Sequence, residues 1–154
     1  MQFLLSVDLG IKTGFAMFNS DGRLMWYHSQ NFGNKVRLRK AIPQILIQDE
    51  TISYLVMEGG GPLRKLWDAQ LERKNIEVIH IMAENWRKEL LLDREQRKGK
   101  LAKEKAMMYA LKVVEQLSDK KTGTLNINAA ESILIGLWCM QKLGWIKNAA
   151  SVFR

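Results

Sequence analysis

Phe3-Leu4-Leu5-Ser6-Val7-Asp8-Leu9-Gly10-Ile11-Lys12-Thr13-Gly14 is the stretch whose reading decides the fold. The apolar run Phe3 to Val7 predicts a strand that ends at Asp8, and the glycines after it predict a turn. Gly14 to Asn19 then reads as a second strand, Ser20-Asp21-Gly22 supplies hairpin chemistry, and Leu24 to Asn31 reads as a third. Three consecutive strands joined by short turns make an antiparallel meander. Side chains alternate along a strand, so Asp8 shares a side with Leu4 and faces whatever packs on the sheet. The competing reading of Asp8 is an Asx-turn that merely closes the strand.

Outward from this meander, Lys35 to Gln48 has helical spacing through Val36, Leu38, Ile42, Ile45 and Leu46, with Pro43 marking a kink or a later start. Ile52 to Met57 predicts a strand buried on both faces, ended by Glu58-Gly59-Gly60-Gly61-Pro62. A helix from Leu63 to Lys74 leads to a further buried strand, Ile76 to Met82, which makes a parallel unit. Helical spacing returns from Glu84 to Leu92, loosens across Asp93 to Lys100, and resumes from Leu101 to Leu117. A polar turn region, Asp119 to Leu125, precedes a final helix from Asn126 to Lys142. Neither a repeat nor a linker divides the chain, so residues 1–154 are expected to form a single domain. The predicted class is α/β: a five-stranded mixed sheet, antiparallel then parallel, flanked by helices, in the order of the ribonuclease H-like fold.

That order gives three carboxylates a common meaning. Asp8 ends the first strand, Glu58 ends the fourth in Tyr54-Leu55-Val56-Met57-Glu58, and Glu131 lies in the apolar run Asn126-Ile127-Asn128-Ala129-Ala130-Glu131-Ser132-Ile133-Leu134. A carboxylate in apolar surroundings is unfavourable unless it is protonated, hydrogen-bonded or bound to a cation. Glu131 falls on the helical stripe of Ile127, Leu134, Ile135 and Trp138, which should face the sheet. Its competing reading is a capping box, with Asn128 as the cap and Glu131 folding back onto it. Glu58 likewise has the plain reading of a solvated strand end. If the three meet, they form a site for two Mg²⁺ or Mn²⁺ ions. Only two histidines occur, His28 and His80, which disfavours zinc. His80 reads as a satisfied core histidine in an apolar strand, and His28 as facing a sheet surface.

The net charge of +8, from 24 Lys and Arg against 16 Asp and Glu, favours a polyanionic partner. Arg94, Arg97, Lys98, Lys100, Lys103 and Lys105 cluster around Gly99, opposed only by Glu95 and Glu104. A solvated charge run is the plain reading; beside a metal site the same run would neutralise phosphates, with Lys103 or Lys105 stabilising developing charge. Lys12, Lys35, Arg37, Arg39, Lys40, Arg64 and Lys65 are further candidates for nucleic-acid backbone contacts. Trp26, Trp67, Trp86, Trp138 and Trp145, with Tyr27, read as core or interface anchors.

Asp8-Leu9-Gly10, Gly14-Phe15-Ala16, Glu58, Trp86-Arg87 after the fifth strand, the Lys-rich helix start and Ala129-Ala130-Glu131-Ser132-Ile133-Leu134 together resemble the RuvC-like Holliday junction resolvases, bacterial and chloroplast members among them, over nearly the whole chain. The resemblance implies an endonuclease that resolves four-way DNA junctions as a homodimer with Mg²⁺ or Mn²⁺. It also marks a departure. Members of the family usually carry a second acid or a histidine on the last helix, whereas Asn128 stands one turn before Glu131. An asparagine carbonyl can ligate a hard cation but adds no charge. An apolar stripe of Leu63, Leu66, Trp67 and Leu71, if the sheet leaves it uncovered, would supply a dimer surface.

Three alternatives stay open on these residues: a YqgF-like nuclease acting on structured RNA, an actin- or hexokinase-like ATPase, and a junction-binding protein with weak or no cleavage. The ATPases clasp nucleotide between two such domains, and only one is present. Ala83-Glu84-Asn85-Trp86-Arg87 differs from the acidic-arginine motif of the YqgF group. The single Cys139 excludes an internal disulfide, and no stretch reaches the roughly 18–20 apolar residues of a membrane span. The expected location is intracellular, cytoplasmic or nucleoid, or organellar if a transit peptide has been removed.

Overall fold

The computed structural model of the chain describes residues 1–47, 51–119 and 124–154. Its sheet is built from β1 (Phe3–Asp8), β2 (Lys12–Asn19), β3 (Leu24–Asn31), β4 (Tyr54–Glu58) and β5 (Glu77–Ile81) in the order β3-β2-β1-β4-β5. The first three strands pair antiparallel, whereas β4 lies parallel to both β1 and β5. This is the mixed sheet that the meander and the helix-strand alternation predict. Its directions bring the ends of β1, β3, β4 and β5 and the start of β2 to one edge.

Period-two alternation assigns each strand two jobs. Leu5 and Val7 of β1 join Leu55 and Met57 of β4 under α1 (Lys35–Ile47) and α2 (Gly61–Leu71), around buried Trp67. Leu4 and Val56 face the other way, toward α3 (Ala83–Leu90), α5 (Gly99–Leu117) and α6 (Ile127–Lys142). On that side α6 is apolar over almost its whole circumference, with Ala129 through Leu137 buried without a break. Each of its large aliphatic side chains contributes about 1.5–3 kcal/mol by leaving water. A helix apolar on all sides has to be sandwiched, and α6 lies between the sheet and α5.

Close approach of α6 to the sheet depends on two glycines. A Cβ on Gly14 of β2 would lie 1.9 Å from the Asn128 carbonyl oxygen, and one on Gly136 of α6 would lie 2.1 Å from the Phe18 ring. Ser6 Oγ donates to the Ser132 carbonyl at 2.7 Å, and Ser132 Oγ donates to the Ala129 carbonyl at 2.7 Å. Helix and strand are thereby fixed in register.

Four expectations need correction. β5 is not buried: it is the sheet's edge, so Glu77 and His80 are exposed. His80 consequently is no core residue; its Nε2 sits 2.8 Å from Asp68 Oδ1. Pro43 does not mark a later start of α1, which runs from Lys35 to Ile47 with Pro43 inside, because Leu38, Ile42 and Leu46 hold it on the core. The loosened segment contains a short helix, α4 (Asp93–Gln96). His28 is exposed on β3, as expected. Gln48 and residues 120–123 of the expected turn lie outside the described residues. The stripe on α2 is largely used by the core, with Trp67 and Leu71 buried and Leu63 and Leu66 packed beside them, so it supplies no argument for a dimer. Among the described residues no helix is long and apolar enough to cross a membrane.

Candidate metal centre

Asp8 and Glu58 are cross-strand partners at the ends of neighbouring parallel strands. Each lies an even number of residues from a side chain that faces α6, Leu4 for Asp8 and Val56 for Glu58, so both carboxylates rise on that face. The strand ends are held by backbone bonds from Leu9 N to Glu58 O and from Gly59 N to Ile81 O, each 3.1 Å. Thr13 Oγ1 closes the turn after β1 by donating to the Gly10 carbonyl at 2.6 Å.

Glu131 arrives from α6. The cap of that helix is Asn126, whose side chain accepts from Ala129 N at 3.0 Å, and not Asn128. Glu131 therefore lies beyond the position from which a capping box folds back, and its side chain is free to turn toward the sheet. Carboxylate oxygens of Asp8, Glu58 and Glu131 lie within 4.8 Å of one another. Among the described residues they are the one group of acidic, histidine or cysteine side chains close enough to share an ion. Glu58 is 9% exposed and Glu131 8%.

Three acids so close and so dry cannot all ionise without added positive charge. Burial, the charge of Glu131, and the hydrogen bond and charge of Glu58 push the Asp8 carboxyl up to about 9, against a smaller opposing pull from Arg87. Burial and Glu58 raise Glu131, while Arg87 and Lys103 pull it back. The donor set is all carboxylate oxygen, half-open to solvent at Asp8, and short of positive charge; it suits a hard divalent cation.

Arg87 is the residue that sequence reasoning missed as part of the site. Its Nη2 lies 3.6 Å from Glu131 Oε1, and its guanidinium stacks over the Trp86 ring at 5.3 Å. Its Nε is buried without an acceptor among the described residues. Trp86-Arg87 is visible as a pair in the sequence; what is not visible is that burial of Trp86 and Leu90 turns Arg87 along α3 toward α6.

The other predicted residues separate. Lys103 acts on Glu131 from the first turns of α5. Lys105 does not join it; its Nζ lies 3.8 Å from Glu95 Oε2, because two residues along a helix turn a side chain to a different face. Asn128 is half-buried, with its backbone against Gly14, the residue paired with Asp8. Lys12, at the start of β2, and Lys35, at the start of α1, are exposed at the edge that carries the carboxylates, and Arg37, Arg39 and Lys40 are exposed further along α1. Arg64 and Lys65 sit in the first turns of α2, Arg64 within 3.6 Å of Asp68. Arg94, Arg97, Lys98 and Lys100 are exposed.

No protein-family model matches the chain, and no curated protein matches it. Among solved structures it is similar to T. thermophilus RuvC in complex with Holliday junction substrate, at 11% identity over 94% of this chain and 96% of that one, with a TM-score of 0.64. The catalytic core domain of BIV integrase is matched at 12% identity over 88% and 82% of the two chains, with a TM-score of 0.34, too remote to add weight. Element order, sheet directions and near-complete mutual coverage thus give the chain the ribonuclease H-like fold in the form that RuvC takes.

Proposed function

We propose that the protein is a divalent-metal-dependent endonuclease that cuts four-way DNA junctions as a homodimer. The observation that carries this reading is the gathering of Asp8, Glu58 and Glu131 within 4.8 Å at the sheet edge of a RuvC-like fold. Those three side chains would hold the metal, with the Asn128 carbonyl as a neutral fourth ligand. Bound there, a pair of Mg²⁺ or Mn²⁺ ions supplies an acidified water and neutralises charge on the leaving oxygen of a phosphodiester.

The chain's own groups do the rest. Asp8 and Glu58 come from adjacent paired strands, so their spacing is set by the sheet and needs no adjustment on binding. Arg87 fixes the carboxylate of Glu131, and its guanidinium charge offsets part of the negative charge that an approaching phosphate adds. Lys103 adds a point charge on the same side. Lys12 and Lys35 at the carboxylate edge, with Arg37, Arg39, Lys40, Arg64, Lys65, Arg94, Arg97, Lys98 and Lys100 on the elements around it, are the positive groups that would position the DNA backbone.

A labelled synthetic junction, linear duplex of the same sequence and a matched structured RNA, each with Mg²⁺, Mn²⁺ or chelator, test this reading. Symmetric nicking of the junction alone, lost with chelator, is the expected result. Cutting of the RNA in preference would transfer the assignment to an RNA-processing nuclease, and tight junction binding without cutting in any metal would leave only a binding protein.

A further inference from the structure

Away from the carboxylate cluster, a third buried acid has a complete set of partners. Glu95 of α4 is 3% exposed. Its Oε1 accepts from Leu92 N at 2.8 Å, and its Oε2 accepts from the Tyr109 hydroxyl at 2.5 Å. Lys105 and Arg154 stand at 3.8 and 3.6 Å. Burial raises its pKa, but the bonds from Tyr109 and Leu92 and the charges of Lys105 and Arg154 outweigh that and hold it below its ordinary value.

Arg154 ties this acid to a third element. It donates to the Leu90 carbonyl at the end of α3, and its guanidinium lies over the rings of Tyr109 and Phe153, which stack on each other at 4.3 Å. One group of side chains therefore joins α3, α4 and α5. Two of the elements it joins, α3 and α5, carry the cations whose charges act on Glu131. Arg87 lies one turn before Leu90 on α3, and Lys103 lies two residues before Lys105 on α5.

We propose that Glu95, with Tyr109 and Arg154, is a positioning latch that sets α3 and α5 so that Arg87 stays against Glu131 and the charge of Lys103 stays on the same side. None of the three touches the carboxylate cluster; they act through the two cations. A short helix such as α4 has too few hydrogen bonds to hold α3 and α5 at a set distance unaided, and a buried carboxylate with two donors and two cations supplies a link that has one geometry. The inference rests on the nuclease reading for its catalytic consequence and on contacts alone for its structural one.

The variants are R154A and E95Q, with R154K as the conservative control. Amide hydrogen exchange is read first, without substrate. R154A should speed exchange at least tenfold in the last turn of α3, in α4 and in the first turns of α5, while β1, β4 and α6 keep wild-type rates, and R154K should restore much of the protection. Single-turnover cleavage of a pre-bound junction is read second. R154A and E95Q should slow it about tenfold with junction affinity in Ca²⁺ unchanged within twofold, and R154A should add nothing in a background that carries both R87A and K103A. Unchanged exchange overturns the latch. Altered exchange with unchanged cleavage, or a further loss in the R87A K103A background, overturns its positioning role. A wild-type protein that cuts no nucleic acid removes that role together with the nuclease reading, and the exchange result separates the two failures.

Discussion

Asp8 is the residue at which folding and proposed function oppose each other. Its folded-state pKa, about 9, lies above the model-peptide value of 3.8, so folding favours the protonated form. The stability this confers is full below about pH 4 and is lost as pH rises toward 9. Glu131 shifts in the same direction. Glu95 shifts the other way, and its contribution is present above its ordinary pKa and lost in acid. The metal-free protein should therefore unfold at progressively lower temperature from pH 6 to pH 9 in calorimetry, and Mg²⁺ should cancel most of that decline. D8N should stabilise the metal-free protein at pH 8 by about 1–2 kcal/mol while abolishing cleavage, since an amide can stay buried without ionising. A D8N protein less stable than wild type at that pH would mean that the three acids do not repel one another. E58Q removes one ligand charge and leaves the basic surface intact. Cleavage should fall at least a thousandfold with junction affinity in Ca²⁺ within about threefold of wild type; loss of both would show that Glu58 serves binding.

At the scale of elements, α6 decides whether the site exists, and the two glycines decide how closely α6 sits. G14A places a methyl group against the Asn128 backbone, which has no side chain to swing aside, so the first turn of α6 must move. Its cost should be about 1–3 kcal/mol in denaturant melts, with weaker Mn²⁺ binding by calorimetry. G136A meets the ring of Phe18 instead, and should lose comparable stability with a smaller effect on the metal. Equal Mn²⁺ affinity in all three proteins would separate the site from the packing of α6. The elements themselves were legible because strand and helix periods are local. Alternation in Phe3 to Val7 and the apolar run before Glu58 need no tertiary knowledge, and they already place Asp8 and Glu58 at the ends of two strands. What was not legible depends on neighbours that sequence does not name. β5 reads as buried because Val78, Ile79 and Ile81 are apolar, yet among the described residues it has no strand beyond it. Lys103 and Lys105 look equivalent in a charge run, and only the rotation of α5 assigns one to Glu131 and the other to Glu95. Asn128 looks like the cap because a capping box fits its spacing, whereas Asn126 has the carbonyl that accepts from Ala129 N and an amide that reaches Ser29 Oγ.

For the whole molecule, the excess of 24 basic over 16 acidic residues coexists with a site made of acids. The positive surface attracts and orients a phosphate backbone, and the site supplies the negative charge that a cation needs. Junction affinity should accordingly fall steeply with salt. Replacing Lys98 or Lys100 by Ala should reduce the slope of log K against log salt by about 1 each without changing which strand is cut; an unchanged slope would remove those lysines from the interface. The central claim is narrower than any of these, and diffraction tests it most directly. In crystals soaked in Mn²⁺, anomalous density is predicted within about 2.1 Å of carboxylate oxygens from Asp8, Glu58 and Glu131 together. Mn²⁺ density at other residues, or none at these three under full soaking, would contradict the account.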